Sequence, residues 1–374
     1  MKRTHASVAG ATLAGLLALA LAACGSDNTT TSGSGSTSGS SAAASVSSLS
    51  GTLNGGGSSA QSKAQQAWVA GFQTTNPKTT VNYSTTDSGS GRKGFLDKAL
   101  DYAGSDAALS TDELTSSKTR CTNGGLDLPV YVSPIAVAFN ITGVSSLNLS
   151  GDVVAKIFAG QITTWNDPAI LATNDAAKDK LTGPITTVHR SDDSGTTKNF
   201  TDYLNKVAPT VFTKPAGNTW PVAGGQSANG TSGVVQTIQA AQGTIGYADA
   251  SAVGSLGKVS LGVGSAFVAP TADAAAKTVD ASPRDTTRAA GDIVVNIDRK
   301  TTAAGAYPAI LVSYLLVCSS YDSKATADLV KGYASYVVSA DGQQQAAKAA
   351  GSAPISDTLR ADVVKAINSI TAKA

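Results

Sequence analysis

The chain has 374 residues, with 28 Lys or Arg against 26 Asp or Glu, two His and a net charge of +2 at pH 7. That balance implies no basic surface, so nucleic acid is not an expected partner. At 41% hydrophobic and 5% aromatic residues the composition is that of an ordinary globular chain, and no internal repeat stands out.

Lys2 and Arg3 open the chain, apolar residues dominate from Val8 to Leu19, and Leu21-Ala22-Ala23-Cys24 follows. This is the order of a secretory leader over residues 1–23. Its apolar run, interrupted by Gly10, Thr12 and Gly15, is short for a membrane span. Leu-Ala-Ala-Cys is similar to a bacterial lipobox, which implies lipid on Cys24 and an anchor at the outer face of the cytoplasmic membrane. An ordinary leader with a chance cysteine is the alternative. Residues 24–50, mostly Ser, Gly, Thr and Ala, read as a flexible tether. Removing Lys2 and Arg3 from the 28 basic residues leaves as many as the 26 acidic ones, a mature charge near zero. His5 leaves with the leader, so His189 is the one remaining histidine. A His-rich zinc site is excluded, and any Ser-His-Asp triad must use that residue. Cys121 and Cys318 remain in an exported chain, where one disulfide is the default and two free buried thiols the alternative.

About 320 residues follow the tether, more than one comfortable core, so two lobes are expected. Gly51 to Gly57 reads as a strand, Ser59 to Phe72 as a helix with Ala64, Trp68 and Phe72 on one face, and Thr79 to Ser84 as a β-branched strand. A helix is expected from about Lys93 to Tyr102. Leu128 to Asn140 is apolar and extended, with Pro129 and Pro134 limiting regular pairing. Asp152 to Phe158 reads as a short helix and Pro184 to His189 as a strand. A helix near Gly233 to Gln242, strands near Thr244 to Tyr247 and Ile293 to Ile297, and an apolar strand from Ile310 to Cys318 come next. Helices around Ala325 to Val338 and Gly342 to Ala350, and one from Ser356 onward, close the chain. Alternation of this kind predicts α/β architecture.

Three strand ends run through Gly and Ser into a helix: Gly55-Gly56-Gly57-Ser58-Ser59, Ser88-Gly89-Ser90-Gly91 and Ser194-Gly195-Thr196-Thr197. A helix start carries unpaired N–H groups and partial positive charge, Gly permits close approach, and hydroxyls add neutral donors. Each alone is an ordinary N-cap. Together, with Arg190 beside the third, they point to a shared oxyanion site. No Walker A loop or dinucleotide fingerprint is present.

The runs NYSTTDSGSGRKGFLDKALDYAGSDAAL (82–109), LNGGGSSAQ, HRSDDSGTTKNFTDYL (189–204) and GTIGYAD (243–249) resemble, in order, those of bacterial periplasmic phosphate-binding proteins of ABC phosphate importers. The resemblance implies a two-lobe class II periplasmic binding protein fold with the ligand in the interlobe cleft. Lobe 1 is expected over 51–128 and 306–374, and lobe 2 over 129–305. It implies phosphate contacts from Ser59, the N–H of Ala60, Ser88, Asp106, Arg190, Ser194, Gly195 and Thr196, with Asp192 orienting Arg190. Asp87 departs from the family's small residue, and its carboxylate must point away from the anion or weaken its binding. Asp106 is expected to accept a proton-bearing oxygen of phosphate and so reject sulfate; loop capping is its alternative, and a surface ion pair with Asp192 or Asp193 is that of Arg190. Asp193 is expected to be solvated and His189 to be a strand-end residue. The implied protein is a monomer without cofactor or catalytic role that delivers inorganic phosphate to the permease and ATPase subunits of an importer. Competing readings are a binder of sulfate or molybdate, a secreted phosphatase using Ser194 with His189, and a structural lipoprotein.

Overall fold

The computed structural model describes residues 49–373. The leader, Cys24 and the tether up to residue 48 lie outside the described residues. Among the described residues no helix is long and apolar enough to cross a membrane.

The first half of the fold is built from β1 (Gly51–Gly57), α1 (Ser62–Thr75), β2 (Thr79–Thr85), α2 (Ser88–Leu96), β3 (Tyr102–Ser105) and α3 (Thr111–Arg120). Helical crossovers make β1, β2 and β3 parallel neighbours. Then β4 (Gly125–Asn140) leads to β5 (Ser146–Leu149), α4 (Gly151–Phe158), α5 (Pro168–Leu171), β6 (Thr186–Arg190), α6 (Gly195–Val207), β7 (Gln226–Ala228), α7 (Gly230–Ala240), β8 (Thr244–Asp249), β9 (Gly257–Val263), β10 (Ala266–Val268) and α8 (Ala272–Asp280). The chain returns through residues 281–309 to β11 (Ile310–Cys318), and α9 (Lys324–Val338), α10 (Ala340–Ala350) and α11 (Asp357–Asn368) close it. The sheet order is β2-β1-β3-β11-β4-β8-β6-β7, with β5 and β10 flanking β9.

The long strand β4 joins the halves. Residues Gly125 to Pro134 pair antiparallel with β11, and Ile135 to Asn140 pair with β8. Its two prolines mark the irregular points. Val130, next to Pro129, is bulged out of the β11 ladder, and the partner changes after Pro134. The expected lobe boundary at 128/129 falls inside this strand, ahead of the change at 134/135. A second link runs beside it, where Ile293 N–H donates to Asp127 O at 2.9 Å.

Aromatic side chains fill the core on both sides of β4. Trp68 meets Tyr131 edge-on at 6.5 Å, and Phe200 stacks on Tyr247 at 4.4 Å. Each large side chain so buried contributes roughly 1.5–3 kcal/mol. Cys121, which ends α3, forms a disulfide with Cys318, the last residue of β11, across 197 residues of sequence. Closing a loop of that size constrains the unfolded chain by a few kcal/mol.

Several stretches differ from the sequence expectation. The helix expected over 93–102 instead begins at Ser88 and ends at Leu96, because Asp87 caps it and Lys98 takes a left-handed φ of 63°. The strand β3 and the helix α3 then occupy residues left unassigned. A capping box, Ser110 with Glu113, starts α3. The strand expected near Ile293 to Ile297 is irregular chain with one isolated bridge, Val295 to Arg284, because its backbone groups bond separate partners: Ile293 N–H donates to Asp127 O, and Val294 O accepts from Asp285 N–H.

Candidate oxyanion-binding site

The three Ser/Gly helix starts converge on Asp106, at the loop after β3. Asp106 is buried, 3% exposed. Its Oδ1 accepts from Ser58 Oγ at 2.5 Å and Ser313 Oγ at 2.6 Å, and its Oδ2 from Thr196 Oγ1 at 2.8 Å. Gln61 Nε2 donates to Ser313 Oγ at 2.6 Å, which frees the Ser313 proton for Asp106. A carboxylate offers about four acceptor positions, so one on Oδ2 lies beyond these bonds.

Backbone geometry brings the starts this close. Gly57 holds φ at +131°, and a Cβ there would lie 2.1 Å from Gly104 O. At Gly195 a Cβ would lie 2.7 Å from Ser88 Oγ and 2.9 Å from Ala107 N. Only glycine lets α6 approach α2 and Asp106 in this way.

Hydroxyl roles follow from which atoms the backbone occupies. Ser88 Oγ accepts from Asp106 N–H at 3.1 Å, and Ser194 Oγ, the α6 cap, accepts from Thr197 N–H at 3.1 Å. Ser59 Oγ accepts from Thr231 N–H at 3.1 Å. Ser88 and Ser194 retain their protons for a further acceptor, whereas Ser59 Oγ also lies 2.9 Å from Thr231 Oγ1, where either hydroxyl can donate. The Thr196 proton is committed to Asp106. Ala60 N–H, expected to face an anion, donates to Ser58 Oγ at 3.1 Å. Sequence reasoning missed Ser58, Ser313 and Thr231. A lone serine in the apolar run ILVSYLLVC was a signal for Ser313, and Gly230-Thr231-Ser232-Gly233 was a fourth helix start of the same composition.

Arg190, at the end of β6, is 3% exposed. Its Nε donates to Asp192 Oδ1 at 2.6 Å and its Nη2 to Asp192 Oδ2, so one edge of the guanidinium is fixed and Nη1 is left for another acceptor. This is a buried pair and not the surface ion pair weighed from the sequence. Asp87 caps α2, its carboxylate accepting from Ser90 N–H at 2.7 Å and Ser90 Oγ at 2.8 Å. Asp193 is not merely solvated: its Oδ1 lies 3.3 Å from Arg92 Nη2, and its carbonyl accepts from Gly89 N–H at 3.0 Å. His189 stacks on Trp220 at 5.3 Å, with Nδ1 3.0 Å from Arg190 O. It makes no hydrogen bond with Ser194 among the described residues. A cavity of about 710 Å³ opens beside Asp106, lined by Lys198, Asn199, Asp202 and Arg288 and by neither Arg190 nor Ser194.

Comparison with known proteins gives the class first. Residues 25–341 match the family model of the PBP superfamily domain. Among solved structures, a high-affinity periplasmic phosphate-binding protein, PfluDING, bound with phosphate shares the fold at a TM-score of 0.68 and 23% identity, over 84% of this chain and 93% of that one. A phosphate-binding protein from Stenotrophomonas maltophilia gives a TM-score of 0.66 at 20% identity, over 84% and 94%. Phosphate-binding protein PstS 3 of Mycobacterium leprae is 34% identical over 95% of this chain and 97% of its own length. Phosphate-binding protein PstS 2 of Mycobacterium tuberculosis is 34% identical over 85% and 87%. The chain belongs to the PstS family of phosphate-binding proteins.

Proposed function

We propose that the protein captures inorganic phosphate between its two halves and delivers it to the permease and ATPase subunits of an ABC importer. The observation that carries this is the sorting of protons around Asp106. Ser58, Ser313 and Thr196 donate to the carboxylate, while Ser88 and Ser194 accept from N–H groups and keep protons for an anion, and Ser59, which accepts from Thr231 N–H, can turn its proton to the anion or to the Thr231 hydroxyl. Neutral donors of this kind replace water around a buried dianion, and Arg190 Nη1 adds charge. Gly195 and Thr196 contribute N–H groups of the α6 start, and Ala60 N–H is a shared donor because it also bonds Ser58. The fourth acceptor position, on Asp106 Oδ2, takes the proton of a protonated phosphate. Sulfate carries none near neutral pH and would face an acceptor with an acceptor.

The protein acts as a carrier and not as a catalyst. Ser194 serves as a helix cap, and His189 is held by Trp220 and the Arg190 carbonyl. Residues 51–128 with 306–374 and residues 129–305 act as lobes hinged at β4. The protein is a monomer, exported and held by lipid on Cys24 at the outer face of the membrane. Names of relatives that bind phosphate support this reading.

Titration calorimetry of the full chain tests it. Arg190→Ala removes the charged donor and leaves Asp192 buried without its partner, a change on the order of 3–5 kcal/mol. The expected outcome is a loss of phosphate affinity of at least about 100-fold. Retention of wild-type affinity would remove Arg190 from the site. Release of product from a chromogenic phosphate ester would restore the phosphatase reading.

A further inference from the structure

Helix α7 starts at the cleft with Asn229-Gly230-Thr231, and Asn229 makes no side-chain cap bond. Its first N–H groups go elsewhere. Gly230 N–H donates to Asp192 Oδ1 at 3.4 Å, and Thr231 N–H donates to Ser59 Oγ at 3.1 Å. The Thr231 hydroxyl also lies 2.9 Å from Ser59 Oγ. Ser59 sits between β1 and α1 in the first half and Thr231 in the second, so these bonds cross the cleft. Thr231 is 4% exposed.

We infer that Thr231 is a positioning residue that turns the Ser59 hydroxyl into an obligate donor toward the bound anion, and does so only when the two halves meet. A hydroxyl has one proton and two lone pairs. With the Thr231 N–H on one lone pair and the Thr231 hydroxyl on the other, Ser59 can only donate. The alternative orientation, Ser59 donating to Thr231 Oγ1, withdraws that proton from the cleft. An anion in the cleft selects the first orientation. Closure and donation thereby depend on the same pair of side chains, and Gly230 steadies the Asp192 carboxylate that holds Arg190. The inference rests on the reading of Ser59 as a phosphate ligand.

Calorimetry and stopped-flow dissociation with inorganic phosphate, on the full chain, test it through Ser59→Ala, Thr231→Val and the double variant. Ser59→Ala is expected to weaken phosphate about ten-fold or more, and Thr231→Val about five-fold through faster release. Because Thr231 acts through Ser59, the double variant is expected to match Ser59→Ala alone. Thr231→Ser, which keeps the hydroxyl, is expected to restore affinity. The melting temperature without phosphate is expected to stay at the wild-type value for all three changed proteins, which a structural role would not allow. Additive losses in the double variant, or wild-type affinity in Thr231→Val beside a weakened Ser59→Ala, would overturn this inference alone. Wild-type affinity in Ser59→Ala would overturn both it and the assignment of Ser59.

Discussion

Asp106 and Asp127 are both buried, yet the fold treats their carboxyls in opposite ways. Asp106 accepts from three hydroxyls and, among the described residues, has no cation on it. Asp127, in β4, accepts from Leu109 N–H through Oδ1, while its Oδ2 has no hydrogen-bond partner among the described residues and lies 3.6 Å from Arg288. Asp292 lies alongside and bonds the same arginine at 3.2 Å. Burial, and then the charge of Asp292, push the Asp127 carboxyl well above the usual carboxylate range. A shell of neutral donors supports a buried acceptor, whereas a neighbouring acid favours holding the proton. The difference separates an acceptor held by neutral donors from a carboxyl whose surroundings favour the proton.

The largest effect is expected from breaking the hydroxyl shell. Ser58→Ala with Ser313→Ala removes both donors from Asp106 Oδ1, each worth about 1.5–3 kcal/mol to a charged group. The denaturant midpoint should fall correspondingly, and an unchanged midpoint would mean that the shell does not support Asp106.

A third buried acid sharpens the contrast. Asp249, beside Tyr131 and Ser251, is pushed up to about 6, chiefly by burial. A carboxyl raised in this way favours the fold while protonated. Its contribution is present below the ordinary carboxylate value and is lost as pH rises through about 6. Asp249→Asn keeps an acceptor and stays neutral, so it should become more stable than wild type by up to about 3 kcal/mol at pH 8 and match it at pH 4. Parallel stability curves across that range would contradict the assignment.

The smallest effect is expected at the cleft rim. Asp193→Asn weakens a half-exposed contact to Arg92 worth no more than about 1 kcal/mol. Phosphate release should quicken by a few-fold at low salt and by less at high salt, as measured by stopped flow. An effect independent of salt would assign the role to the Asp193 backbone.

Much of the arrangement was legible because Gly and Ser at strand ends obey local chemistry. Ser194 caps α6 and Gly195 opens it, as helix-start reasoning has them, and Arg190 pairs with Asp192 two residues on. The start of α2 was hidden because three glycines in nine residues read as loop. Gly91 is there for packing, since a Cβ would lie 2.7 Å from Gly57 Cα. The partners of Asp106 were hidden for a different reason. Ser313 lies 207 residues away, on a strand whose apolar pattern announces burial and not which face meets a carboxylate. Local chemistry is readable from neighbours in sequence; the pairing of a buried acid is fixed by the sheet.

The central claim is that Asp106 reads the proton of the ligand. Calorimetric titration of the full chain with phosphate and with sulfate at pH 7 tests it directly. Phosphate is expected to bind about 1,000-fold more tightly or better. Comparable affinities for the two anions would contradict the account.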